Sequence, residues 1–162
     1  MRVVWMKIWL MLAGFLPAVV MADDTVIAVI VSAQPNFSVS LAASDLAPVY
    51  WRKKLYDNHG NPLHPANLSS EHPLRLHFSQ QVLHSSPRSQ VGYWNELYFH
   101  GVQPPFTVES QEAMIRYVAY TGNAIGYIDA CKLDERVRAV LWITATKVVS
   151  DPPSLHCSTS AT

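Results

Sequence analysis

The sequence predicts an α/β domain with an open sheet flanked by helices, and three observations carry that prediction. "TVIAVIVS" at 25–32 is a continuous β-branched run, the pattern of a strand buried on both faces. Three later stretches place apolar residues at helical spacing behind a capping residue. Two further strand-like runs close the domain, so strands alternate with helices as in open α/β sheets.

After the first strand, "SDLAPVYWRKKLY" reads as a short helix, with Ser44 as N-cap and Asp45 in the first turn, where its charge suits the helix dipole. Pro48 is tolerated because it falls near the helix start. "DNHGNP" is a turn cluster, and "LHPANL" leads as a strand to Ser69. In "SSEHPLRLHFSQQVLH" Leu74, Phe78 and Val82 recur every four residues, and Ser69, Ser70 and His72 are the candidate caps before Pro73. "SSPRSQVGYWNELYFHG" repeats the device: Ser86 caps, Pro87 opens, Val91, Trp94, Leu97 and Tyr98 share a face, and Gly101 ends the helix. In "ESQEAMIRYVAYTG" Ser110 caps, Met114, Tyr117 and Val118 point inward, and Gly122 stops the helix with Asn123 suited to a left-handed turn. "AIGYID" and "VRAVLWITA" are the last two strands; Gly126 leaves room for a crossing element, and Tyr127 projects from the opposite face.

The ends of the chain are different in kind. Residues 1–22 place Arg2 and Lys7 before a short apolar run and end in Val20-Met21-Ala22, the form of a cleaved signal peptide; an uncleaved anchor is the rival reading. Cleavage ahead of Asp23 leaves 140 of the 162 residues, one ordinary domain. The domain is expected over 23–146, in the periplasm, with 147–162 as a flexible tail and no membrane span after cleavage. Cys131 and Cys157 meet an oxidising compartment there; they either pair, clipping the tail to the domain, or stay free in a loose tail.

Composition removes several functions. The leader holds two of the twelve basic residues and none of the twelve acidic ones, so the mature net charge is about −2. The longest basic run is Arg52-Lys53-Lys54, which does not suit a nucleic-acid groove. The seven histidines lack the i, i+4 spacing of a helical metal pair, so no metal site or other cofactor is expected. There is no G-x-S-x-G elbow, no phosphate-binding glycine loop and no evident carboxylate pair, so an enzyme is not expected. One constellation goes beyond capping. Ser69 and Ser70, with Arg75 in the first turns of the next helix, suit a small oxyanion: hydroxyls donate, helix N-terminal amides are oriented donors, and an arginine fork pairs two oxygens.

Three segments in order carry a resemblance. "LAPVYWRKKLYDNHGNPLHPANL" parallels a helix, a "DG"-type turn and a "PVN"-like strand; "SSEHPLRLHFSQQVLHSS" parallels "SPLREAFYQQVLGKS"; "YWNELYFHGVQPPFTVESQEAMIRYVAYTGNAIGYI" parallels a "YWxRLxFxGxGxPP" and "PGAIGYV" series. Over residues 25–143 the chain resembles short exported bacterial proteins of the phosphate ABC-transporter substrate-binding type, themselves similar to one lobe of full-length periplasmic phosphate-binding proteins. The resemblance implies one lobe of the type 2 periplasmic-binding-protein fold. It implies phosphate or another small oxyanion as ligand, held at Ser69, Ser70 and Arg75, in association with ABC-type transport. Glu71 follows Ser70 where relatives carry "SGT". The alternative is a periplasmic adaptor that keeps the fold without the ligand. It would contact an envelope protein or a second copy through whichever of Tyr50, Trp51, Tyr93 and Phe99 are exposed.

Overall fold

A computed structural model describes residues 25–37 and 39–157; the leader and the last five residues lie outside them. Among the described residues six strands form one sheet: β1 (Ile27–Ser32), β2 (His64–Leu68), β3 (Phe106–Val108), β4 (Ala124–Asp129), β5 (Val137–Ile143) and β6 (Val148–Val149). Their spatial order is β3-β2-β4-β1-β5-β6. β2 runs parallel to both β3 and β4, whereas β1 is antiparallel to β4 and β5. β1 lies inside the sheet between β4 and β5, and all six of its residues are buried, as its mostly β-branched run predicts.

Among the described residues there are four α-helices: α1 (Ala43–Tyr50), α2 (Pro73–Phe78), α3 (Val91–Phe99) and α4 (Gln111–Tyr120). α4 is capped as expected, the Ser110 hydroxyl accepting from the Ala113 N–H at 3.1 Å, and Met114 and Val118 are buried. Tyr117, expected inward with them, is only half-buried and stacks on Phe106, while Ile115 takes the buried place. Its contact with β4 requires Gly126. A Cβ there would stand 2.5 Å from Met114 Sδ and 2.8 Å from Val118 Cγ2. Tyr127, on the other face, stacks on Phe78 with centroids 4.1 Å apart, and Tyr50 tilts against Phe78 at 4.6 Å. These three rings fill the space under α1 and α2.

Several local expectations shift. α1 starts one residue before Ser44; its N-cap is Ala42, which has no capping hydroxyl, and the Asp45 carboxylate instead accepts from the Ala42 N–H at 3.3 Å, the reciprocal half of a capping box. Pro48 therefore lies in the second turn, and the helix ends two residues later with Arg52 left-handed at φ 56°. That conformation costs a non-glycine residue about 1 kcal/mol, offset by the Arg52 guanidinium donating to the Leu63 carbonyl at 3.0 Å. α2 continues through a π-helical turn (Ser79–Leu83) rather than as a regular helix. Ser86 keeps a capping bond, to the Ser89 N–H at 3.2 Å, but a 3-10 turn (Arg88–Gln90) intervenes before α3.

The inward side of α3 also differs: Val91 and Tyr98 are exposed, and no residue of this helix is fully buried. The half-buried ones are Tyr93, Trp94 and Leu97, because the Tyr93 hydroxyl donates to the Trp51 carbonyl at 2.7 Å and turns that side down. After α4, Asn123 is the left-handed residue, φ 54°. Gly122 is small for another reason: its Cβ would lie 3.0 Å from the Phe37 ring. β3 and β6 were not expected as strands. Residues 147–157, expected to begin a flexible tail, are tied at two points: β6 pairs with β5, and Cys157 is disulfide-bonded to Cys131. Among the described residues no helix is long and apolar enough to cross a membrane.

Candidate functional site

The three parallel strands β2, β4 and β3 all end on one edge of the sheet, at Leu68, Asp129 and Val108. Ligands of open α/β sheets bind outside such carboxyl ends, where the chain leaves each strand for a helix N-terminus. The predicted residues Ser69, Ser70 and Arg75 all follow β2 there.

Arg75 does not reach out to solvent. It is 6 % exposed, and its guanidinium donates to Asn67 Oδ1 and, at 3.1 Å, to Gln90 Oε1. The Tyr127 hydroxyl also donates to Asn67 Oδ1, at 3.3 Å, and accepts from the Leu68 N–H at 3.2 Å. Gln90 in turn donates to the Ser85 carbonyl at 2.9 Å. The result is a buried polar knot at the end of β2. Its unusual property is electrostatic: among the described residues no carboxylate pairs with Arg75, and both hydrogen-bond partners are neutral amides. Buried cations are normally paired. Burial holds the Tyr127 phenol up at about 12, and burial followed by the neighbouring Tyr127 raises Tyr50, so neither phenol supplies a negative charge at neutral pH.

The two serines lie outside this knot. The Ser69 side chain is half-buried, and its hydroxyl has no hydrogen-bond partner among the described residues. Ser70 is exposed and donates to the Glu71 carboxylate at 3.2 Å. Neither caps α2; of the three candidates His72 does, its Nδ1 accepting from the Leu74 N–H at 3.1 Å. Burial, and then the charge of Lys132, push His72 below its ordinary value, so it is mostly neutral at pH 7.

A cavity of about 370 Å³ opens beside the cap. His72, Ser110, Gln111, Glu112, Lys132 and Asp134 line it, none of which the sequence singled out as a ligand group. The signal that finds them is topological: all follow the carboxyl ends of β2, β3 and β4. Gln111 Oε1 accepts from the Asp129 N–H at 2.8 Å and pins the start of α4 to the end of β4. Arg136 bridges Glu112 and Asp134 at 2.9 and 2.6 Å, which cancels much of their charge.

Hydrogen bonds from Arg136 first and Arg116 second hold Glu112 down at about 2, from an ordinary 4.5. A depressed carboxyl contributes stability above its unfolded value and loses it as pH falls through the folded value. Glu112→Gln is therefore expected to match the parent's melting temperature more closely as pH drops from about 4.5 toward about 2, with the gap widest near neutrality. Thermal melts across that range measure it, and a pH-independent gap would refute the ion-pair account.

No family model matches the chain, and no curated protein matches it in sequence. Solved structures do match. An ABC-type phosphate transport receptor from Vibrio cholerae superposes with a TM-score of 0.55 at 17% identity, over 71% of this chain and 46% of that one. A phosphate ABC transporter substrate-binding protein with bound phosphate from Clostridium perfringens gives 0.54 at 18%, over 71% and 44%. PstS from Borrelia burgdorferi gives 0.50 at 13%, over 78% and 48%. At these identities the likeness shows the fold. The chain spans a little under half the length of each, as expected for a single lobe, and these are proteins of the kind the sequence resembles.

Proposed function

We propose that the chain is an exported, non-enzymatic lobe of the phosphate-binding-protein type that binds phosphate or another small oxyanion weakly, in association with ABC-type transport. One observation carries the reading beyond the fold: a buried arginine with no carboxylate partner at the carboxyl end of β2. Its uncompensated charge favours an anion nearby, and the Ser69 hydroxyl, at the mouth of the same segment, has a donor to give. The proteins it superposes on are named for phosphate transport, and one holds phosphate.

Binding is expected to be weak for two physical reasons. A single lobe leaves the anion open to water, which competes for every hydrogen bond. The Glu71 carboxylate also stands next to Ser70 and repels anions. Isothermal titration with phosphate and with sulfate is expected to show saturable heat with a Kd in the millimolar range, about 4 kcal/mol of binding. A Ser69→Ala/Ser70→Ala variant is expected to weaken it several-fold. Absence of heat with both anions, or unchanged affinity in the double variant, overturns the oxyanion assignment.

A second reading, a periplasmic adaptor, has its own observation. α3 carries Val91, Tyr98 and Phe99 on its exposed side, Phe99 being 85% exposed. Of the other aromatics weighed for contact, Tyr50 is fully buried and Trp51 and Tyr93 are half-buried against each other. If neither anion binds, this helix is the surface on which a protein contact would fall.

A further inference from the structure

On the same edge, beyond the end of β4, lies a larger cavity of about 990 Å³. That volume is in the range of small-molecule sites. The start of β1 and the turn at 129–132 form one side, Thr144 and Thr146 after β5 form another, and the tail at 153–156 supplies the third. The tail is held there because Cys157 is bonded to Cys131, their Cα atoms 5.5 Å apart, in the 129–132 turn itself. Upstream of that bond, the segment carrying Ser154 and His156 is joined to the sheet through the two-residue β6 and the Thr144–Lys147 turn before it. Closing a loop of this length, 26 residues in sequence, restricts the free chain by about 3 to 4 kcal/mol.

The charges in this cavity are of both signs and close in sequence. Asp129 accepts from the Cys131 N–H through Oδ1 at 2.9 Å, which leaves Oδ2 for another donor. Lys132, three residues on, pairs with no carboxylate among the described residues. Thr144, Thr146 and Ser154 also line the cavity, the Thr144 hydroxyl being bonded to the carbonyl and N–H of Lys147. A simple oxyanion uses Lys132 but is repelled by Asp129. A molecule with an ammonium and a carboxylate satisfies both.

We infer that this cavity is a second binding site, for a small zwitterion of the amino-acid or short-peptide kind, and that the disulfide-pinned tail completes it. The ammonium meets Asp129 and the carboxylate meets Lys132. The site is separate from the buried knot at Arg75 and stands whether or not that region takes phosphate.

Titration calorimetry on the oxidised chain tests it, with L-alanine and L-alanyl-L-alanine as probes and with acetate and ethylammonium as single-charge controls. At least one zwitterion is expected to bind about tenfold or more tighter than both controls, a difference of about 1.4 kcal/mol. The amino acid and the dipeptide arms decide which length fits. Lys132→Met and Asp129→Asn, both outside the core, are each expected to weaken that binding about tenfold or more. A Cys131→Ser/Cys157→Ser variant is expected to do the same. No heat from either zwitterion at about 10 mM, a control binding as well as a zwitterion, or full affinity with the disulfide removed would each overturn the inference. Should the double serine variant fail to fold, the Lys132 and Asp129 variants still decide: unchanged affinity in both overturns it. Phosphate heat without zwitterion heat rejects this site alone, and the converse rejects the oxyanion site alone.

Discussion

Gly126→Val is expected to be the most destabilising single substitution in the sheet, costing about 3 kcal/mol. The new Cβ alone would stand 2.5 Å from Met114 Sδ, 2.8 Å from Val118 Cγ2 and 2.9 Å from Met114 Cγ. Met114 is unbranched and can rotate away, but Val118 holds one strongly preferred rotamer in a helix and cannot. β4 cannot retreat either, because β1 and β2 hydrogen-bond to its two edges. The remaining motion is for α4 to lift off the sheet, which exposes Met114, Ile115 and Val118 to water. Urea unfolding measures the loss. A Val118→Ala change in the milder Gly126→Ala background should recover part of it, since residues in contact couple in a double-mutant cycle. An unchanged urea midpoint for Gly126→Val would mean that α4 does not pack on this face.

Arg75→Met is expected to cost about 3 kcal/mol, for a reason that runs against first intuition. Removing a buried cation relieves its desolvation, which by itself would stabilise the fold. The loss is larger because the acceptors stay behind. Asn67 Oδ1 keeps the Tyr127 hydroxyl, but Gln90 Oε1 is left without a donor in a residue only 1% exposed. Gln90 also holds the Ser85 carbonyl, so slackness there loosens the 3-10 turn that starts α3. The signature is therefore local as well as global. Unfolding midpoints should fall, and amide exchange should quicken around 85–91 more than in β1. Adding Gln90→Leu to Arg75→Met is expected to restore only part of the stability: it removes the orphaned Oε1, but it also takes the donor from the Ser85 carbonyl, which is half-exposed and must turn to water. A parental midpoint for Arg75→Met would show the knot to be energetically neutral.

These two positions were legible to different degrees. The role of Gly126 can be read from "AIGYID": a glycine between strand-forming residues leaves room for a crossing element, and that element is α4. Arg75 is visible as a residue of interest beside Ser69 and Ser70, but its direction is not. Its partners lie 8 and 15 residues away, and the tyrosine that shares Asn67 with it lies 60 residues from that asparagine. A long side chain can face a ligand or a buried amide from the same helical position, and only the positions of distant acceptors choose between them. β3 and β6, three and two residues long, were missed because neither is long enough to show a period. The side of α3 was misjudged because a hydrogen bond from Tyr93 to a carbonyl 42 residues away outweighs its weak apolar pattern.

By itself the sequence determined what acts over a few residues. That covers the doubly buried β1, the Ser110 cap, the left-handed Asn123, the space at Gly126 and the α/β class they add up to. Tertiary structure alone decided the strand order, the inward turn of Arg75, the bond between Cys131 and Cys157, and the two cavities on the carboxyl edge. The physical reason is range. Propensity, capping and periodicity are energies of neighbouring residues and are written locally. The direction of a long side chain and the choice of a cysteine's partner depend on groups that become neighbours only when the sheet has formed.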